Sequence, residues 1–163
     1  MLYGDWIGRW GRSFPQAEAL VDVTTNRRYT YGDLRDDVHR MANFLRADLR
    51  IGKGDRVAVL ALNRAEYITL FFATSRLGAI LVPLNFRLAV NEFIYYLEDS
   101  RPKAFFFDKD HCPVVAELKS KVPLSDYVCF DQDESVGRSL ASVWEKLSAD
   151  PPPEVDLSAS DPQ

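Results

Sequence analysis

A chain of 163 residues, 47% hydrophobic and 27% charged, is the size of one α/β domain and carries enough apolar side chain for a core, which excludes intrinsic disorder of the body. Its 20 Lys and Arg against 24 Asp and Glu give a formal charge of -4, so the basic footprint of a general nucleic-acid binder is absent. No apolar run approaches the ~20 residues of a membrane helix, and the opening MLYGDWIGRWGRSF lacks the apolar segment of a secretory signal, so the expectation is a cytoplasmic protein with no membrane span.

In chain order, Trp6, Ile7 and Trp10 stand at helical spacing, with Arg9 and Arg12 between and after them, and predict a short amphipathic docking helix that stops before Pro15. From Ala19, ALVDVTTNRRYTY alternates apolar and polar residues around a polar tip at residues 24–27, the pattern of a β-hairpin. Thr30 then caps a long helix with Asp33 as its acidic box partner, and Leu34, Val38, Met41, Leu45 and Leu49 form one apolar stripe along it. Gly52 and Gly54 are expected to end that helix.

VAVLAL from Val57, a helix from Ala65 to Leu77 and AILVPL after Gly78 read as strand, helix, strand, the unit whose crossover is right-handed. The alternation continues with a helix from Val90 to Leu97, a strand at AFFF from Ala104, a helix containing Val115 and Leu118, and a strand at YVCF from Tyr127. SLASVWEKL from Ser139 predicts a last short helix. The fold class is therefore α/β, a mostly parallel twisted sheet with helices on both faces, preceded by a helix and a hairpin. Residues 1–149 make up this unit, and residues 150–163 are expected to be a proline-rich linker.

Few residues announce chemistry. The glycines of GKG precede a strand, the wrong side for a dinucleotide fingerprint, and no Walker sequence is present. His39 and His111 lack a nucleophile and orienting partner at recognisable spacing, and read as exposed or structural. Asp36 and Asp37 are adjacent, hence about 100° apart on a helix, and read as part of a solvated face. Cys112 and Cys129 have no metal-ligand spacing and predict neither a disulfide framework nor a zinc site, in keeping with a reducing compartment. The loop VPLNFRL follows a strand, where α/β sheets collect ligands, and its Asn85 and Arg87 are the candidate ligand contacts. Arg87 offers a planar fork suited to phosphate or carboxylate, or else a surface ion pair; Asn85 can bond a ligand or cap the loop backbone.

YTYGDL from Tyr29 to Leu34, followed by GDRVAVLALNRAEYITLFFATSRLGAILVPLNFRL from Gly54 to Leu88, resembles the N-terminal region of the adenylate-forming superfamily, in particular its acyl- and aryl-CoA synthetases. The resemblance implies a ligase in which a carboxylic acid, fatty or aromatic, attacks ATP with Mg2+ assistance to give an acyl-adenylate, and the thiol of coenzyme A then displaces AMP. It places the catalytic motifs of such enzymes outside these 163 residues: a Ser/Thr/Gly-rich phosphate loop with its lysine, an aromatic and Thr-Glu segment, a ribose-holding Asp and a lysine on a mobile domain. The closing LSASDPQ is similar to the linker that leads toward that phosphate loop. The isolated chain is thus expected to be inactive, to bind none of these small molecules tightly, and to self-associate as a homodimer through exposed sheet edges. Arg87 in LNFR matches the arginine that in relatives lies near the coenzyme A entrance, and Phe86 stands where they often have proline. Two further readings stay open: a superfamily domain that loads a carrier protein, and a non-catalytic α/β binding or dimerisation module.

Overall fold

The computed structural model describes residues 5–158, Asp161 and Pro162. Helix α1 (Trp6–Ser13) is capped by Asp5, whose carboxylate accepts from the Gly8 amide at 3.0 Å. Its inward face is Ile7 with Gly8 and Gly11; Trp6 is exposed, while Trp10, partly exposed, stacks on Tyr31 with ring centres 5.8 Å apart and so helps to dock the helix. A Cβ at Gly11 would lie 2.8 Å from the Arg35 Cβ, so only a bare backbone lets α1 come this close to the next helix.

Strands β1 (Glu18–Asp22) and β2 (Arg27–Thr30) form the expected antiparallel hairpin. Helix α2 (Tyr31–Asn43) opens on a reciprocal capping box, with the Thr30 hydroxyl accepting from the Asp33 amide and the Asp33 carboxylate accepting from the Thr30 amide. All five residues of the apolar stripe are buried. A π-helical turn at Phe44–Asp48 widens the last turn and closes with the Leu49 amide donating to the Phe44 carbonyl. The helix is left through Arg50, in the left-handed region at φ 55°, rather than through Gly52; Gly52 and Gly54 belong to the next turn, where Asp55 donates its amide to the Gly52 carbonyl.

Five parallel strands follow: β3 (Arg56–Leu60), β4 (Ile80–Pro83), β5 (Ala104–Phe107), β6 (Asp126–Cys129) and β7 (Arg138–Ser139), in the spatial order β4-β3-β5-β6-β7. The strand period of two divides their side chains between two cores. Val57, Val59, Phe106 and Val128 pack with α2 and with α3 (Ala65–Leu77). Ala58, Leu60, Phe105, Phe107, Tyr127 and Cys129 pack with α4 (Val90–Ser100) and α5 (Cys112–Lys121). Helices therefore cover both faces, as the alternating pattern predicts.

The segment from Ser139 is not a helix. Ser139 ends β7, pairing with Cys129, and only a single 3-10 turn, Trp144–Lys146, follows it. The Ser139 hydroxyl accepts from the Ser142 amide and donates to the Asp131 carbonyl, a local bond set that competes with helix continuation. Residues 148–150 return to α2, where Asn43 donates to the Ser148 and Asp150 carbonyls. Residues 151–158 run without helix or strand, and Lys53 donates to the Asp156 carbonyl and pairs with Asp161 at 2.8 Å. The linker expected at LSASDPQ falls partly on Ala159, Ser160 and Gln163, outside the described residues.

Candidate functional site at the carboxyl edge of the sheet

The connection after β3 runs to β4 on one side while β5 takes the other, so the loops leaving the carboxyl ends of β3 and β5 diverge. Such a reversal opens a crevice in α/β sheets. Here it holds a cavity of about 430 Å³ between the hairpin tip (Thr24, Arg27), the β3 loop (Asn63, Arg64) and the β5 loop (Asp108, Lys109). Several of the side chains that give it charge are already engaged, while Arg27, Lys109 and Asp110 also line it. Arg64 makes two parallel bonds to Asp131, at 2.9 and 3.0 Å, and a third to Glu66 at 2.8 Å. Asp108 accepts from the amides of Leu62 and His111 and contacts the His111 Nδ1. Asp22 accepts from the amides of Thr24 and Thr25 in the hairpin tip.

These bonds set the electrostatics. Burial alone raises the Asp131 carboxyl, but the Arg64 guanidinium and the Lys109 amide outweigh it and hold the group below the usual carboxylate range. Desolvation works against the Arg64 charge, and its bonds to Asp131 and Glu66 more than restore it. The arrangement clamps the ends of β3, β5 and β6 together. Sequence reading missed it because Arg64 and Asp131 are 67 residues apart and meet only once the strand order is set.

The β4–α4 loop, where Asn85 and Arg87 were expected to meet a ligand, differs in kind. Asn85 Oδ1 accepts from the Arg87 amide at 3.0 Å and the Asn85 carbonyl accepts from the Leu88 amide, so the side chain's oxygen is spent shaping the turn. Arg87 is exposed, its guanidinium 5.5 Å from the centre of the Phe86 ring, and among the described residues no carboxylate pairs with it. An accessible cation held over an aromatic ring, with its donors free, suits a phosphate or carboxylate. The structure thus separates the two candidates, a turn former and a free donor.

The remaining sequence candidates are structural, with one correction. Asp36 is half-exposed beside Arg35, whereas Asp37 is buried, not solvated, and pairs with Arg40 at 3.1 Å. Asp37 stands three residues after Leu34 and four before Met41, on the core side of α2. Burial pushes its carboxyl up, and Arg40 only partly offsets this. His39 is also buried, its Nδ1 donating to the Ala149 carbonyl at 3.0 Å; desolvation lowers its pKa against the opposing pull of that bond. His111 steadies the turn after β5 through Asp108. Among the described residues no group of three or more His, Cys, Asp or Glu gathers as a metal site, and no helix is long and apolar enough to cross a membrane.

A parallel sheet with this strand reversal and helices on both faces places the chain among the open α/β folds. The chain belongs to the AMP-binding enzyme family, whose model matches residues 7–162, and corresponds to the N-terminal part of an adenylate-forming acyl-CoA synthetase. It is 34% identical over 142 residues to the long-chain-fatty-acid–CoA ligase FadD13 of Mycobacterium tuberculosis, an alignment covering 85% of this chain and 27% of that protein. It is 37% identical over 134 residues to a feruloyl-CoA synthase of an Amycolatopsis species, covering 80% of this chain and 27% of that one. The crystal structure of the N-terminal domain of FACL13 from Mycobacterium tuberculosis superposes with a TM-score of 0.86 at 30% identity, over 97% of this chain and 39% of that one. The chain thus spans about a quarter of the length of these curated relatives.

Proposed function

We propose that this chain is the amino-terminal subdomain of a cytoplasmic, ATP-dependent acid–CoA ligase that activates a fatty or aromatic carboxylic acid as its acyl-adenylate and transfers the acyl group to coenzyme A. The observation that carries this reading is the identity shared with a fatty-acid–CoA ligase across 85% of the chain. In this reading residues 1–149 are the subdomain, and residues 150–163 lead toward the phosphate-binding segment. ATP and Mg2+ engage motifs outside these 163 residues, so the isolated chain does not adenylate: a pentavalent phosphorus needs donors and cations placed around it, and Arg64 in the cleft is already committed to Asp131 and Glu66. The chain's own contribution is the loop at Arg87, whose free guanidinium meets a coenzyme A phosphate, with Asn85 fixing the turn that presents it.

The test is ATP–pyrophosphate exchange and thioester formation, measured with a panel of carboxylic acids on the polypeptide that joins this chain to the remaining catalytic motifs. Acid-dependent exchange and a coenzyme A thioester are expected, both absent from residues 1–163 alone. Arg87→Ala is expected to raise the KM for coenzyme A about tenfold or more, the worth of a charge-assisted phosphate bond, while exchange stays within about twofold. Equal loss of both half-reactions overturns the role of Arg87. Exchange without a thioester marks a carrier-loading domain, and no exchange with any acid overturns the ligase reading.

A further inference from the structure

Beside the crevice between the β3 and β5 loops lies a second cavity, of about 220 Å³, in which the proposed ligase chemistry has no part. Arg27, Tyr29 and Glu66 form the partition between the two, and neither Asn85 nor Arg87 lines it. Its apolar wall is Ala65 of α3, Phe130 after β6 and Leu140 after β7, and the 3-10 turn at Trp144–Lys146 brings Trp144 and Glu145 to its rim. The space is smaller than the ~300–1,000 Å³ of typical ligand pockets, so it suits a small molecule.

The polar groups around it are unanswered in a pattern. Tyr29 is only 5% exposed, yet its hydroxyl has no hydrogen-bond partner among the described residues, whereas a buried tyrosine normally finds one. The Trp144 indole N–H has no acceptor among them either. Of the charged groups, Asp37 is paired with Arg40 and Glu66 with Arg64. Arg27 and Glu145 remain. The Arg27 guanidinium lies 4.4 Å from the centre of the Tyr29 ring and acts on Asp37 only through space. Neither Arg27 nor Glu145 forms an ion pair among the described residues. One cavity thus presents an uncommitted cation, an uncommitted anion and neutral donors around an apolar wall.

We propose that this cavity binds a free α-amino acid with an apolar side chain, its carboxylate held by Arg27 and the Tyr29 hydroxyl, its ammonium by Glu145, and its side chain against Phe130 and Leu140. The guanidinium fork suits a carboxylate, and each contact is a charge-assisted hydrogen bond. A ligand with one charge answers only half of the site: an amine meets Arg27 as a like charge, and a simple carboxylate meets Glu145 as one. A zwitterion answers both. Burial raises the Tyr29 hydroxyl above its ordinary value of 10, so it keeps its proton and donates at neutral pH.

The experiment titrates the 15N-labelled 163-residue chain at neutral pH with L-phenylalanine, and in parallel with phenethylamine and 3-phenylpropionate, which keep the ring and one charge each. The three indole N–H signals belong to Trp6, Trp10 and Trp144, and Trp144→Phe assigns the last. L-Phenylalanine is expected to shift the Trp144 signal saturably, with each one-charge analogue binding at least about tenfold more weakly, the worth of one charge-assisted bond. Arg27→Gln and Glu145→Gln, both at exposed positions, are each expected to weaken L-phenylalanine by a similar factor. The analogue series needs no substitution and decides the question even where a variant unfolds. Equal binding of the amine marks a cation site, and equal binding of the simple acid an anion site. A shift confined to Trp6 or Trp10 puts the ligand in the groove beside α1. Any of these, or no saturable shift up to the solubility limit, overturns the proposal.

Discussion

Arg76, near the end of α3, donates through Nη1 to Asp5 Oδ2 at 2.9 Å, and both side chains are only 8% exposed. Asp5 caps α1 with its other oxygen, so one carboxylate both starts the first helix and holds it against the third. Removing it leaves a buried guanidinium whose Nε already has no acceptor. Asp5→Ala is therefore expected to cost about 3–5 kcal/mol, the range for stranding one member of a buried pair. Arg76→Met keeps most of the packing and leaves Asp5 beside Arg12, and should cost less than half as much. Urea midpoints of the two variants at neutral pH test this; a cost below about 1 kcal/mol for Asp5→Ala would make the pair equivalent to a surface ion pair.

His39 makes stability depend on pH in a defined direction. Its folded pKa lies below the ordinary value of about 6.5, so the unfolded chain binds a proton more readily than the folded one. Stability from this residue is complete above 6.5 and is lost as pH falls from there through the lowered folded value, at up to about 1.4 kcal/mol per pH unit. Asp37 acts in the opposite sense: its raised pKa stabilises the fold fully below the ordinary carboxyl value of 3.8 and loses that contribution as pH rises through the folded value. His39→Gln, which keeps a donor for the Ala149 carbonyl, is expected to flatten the decline just below 6.5. Urea titrations stepped across that range read the difference, and an unchanged slope would remove His39 as its source.

How far the sequence disclosed these features depended on the distance between partners. The hairpin, the Thr30–Asp33 box and the βα alternation are written in neighbouring residues, and they appear where periodicity places them. The resemblance carried by TYGDL and LGAILVPLN identified the family because it is an ordered pair of blocks. Asp37 was legible in principle, since it stands among Leu34, Val38 and Met41, but adjacency to Asp36 suggested solvent instead. His39 was not: its burial comes from residues 110 positions away returning to α2. The Arg64–Asp131 clamp likewise exists only after strand order is fixed. At Arg87 the sequence supplied the residue, and only the structure revealed that its guanidinium is left free while Asn85 is occupied.

Gly78 supplies a third test. It ends α3 in the left-handed region at φ 67°, and a Cβ there would lie 2.5 Å from Leu157 Cδ2 and 3.2 Å from Lys53 Cγ. Gly78→Ala is expected to cost about 1–2 kcal/mol from backbone strain, with a further loss from displacing the segment around Leu157. Adding Leu157→Ala should recover only that further loss. Proteolytic cleavage within residues 151–158 should accelerate in Gly78→Ala relative to the parent chain, and equal cleavage rates would show that Leu157 yields without releasing the segment.

The placement of β3 inside the sheet, between β4 and β5, has a consequence for synthesis. Its partners are β4 on one side and β5 on the other, and β5 is complete only when Phe107 has left the ribosome. Until then the nascent chain contains the hairpin and four helices but leaves one edge of β3 unpaired, with the apolar surface that packs against Phe105 and Phe106 uncovered. Chains grow at roughly 5–20 residues per second, so this exposed state lasts for seconds in each round of translation. A pause in translation between residues 84 and 107 would lengthen it, and with it the demand on chaperones.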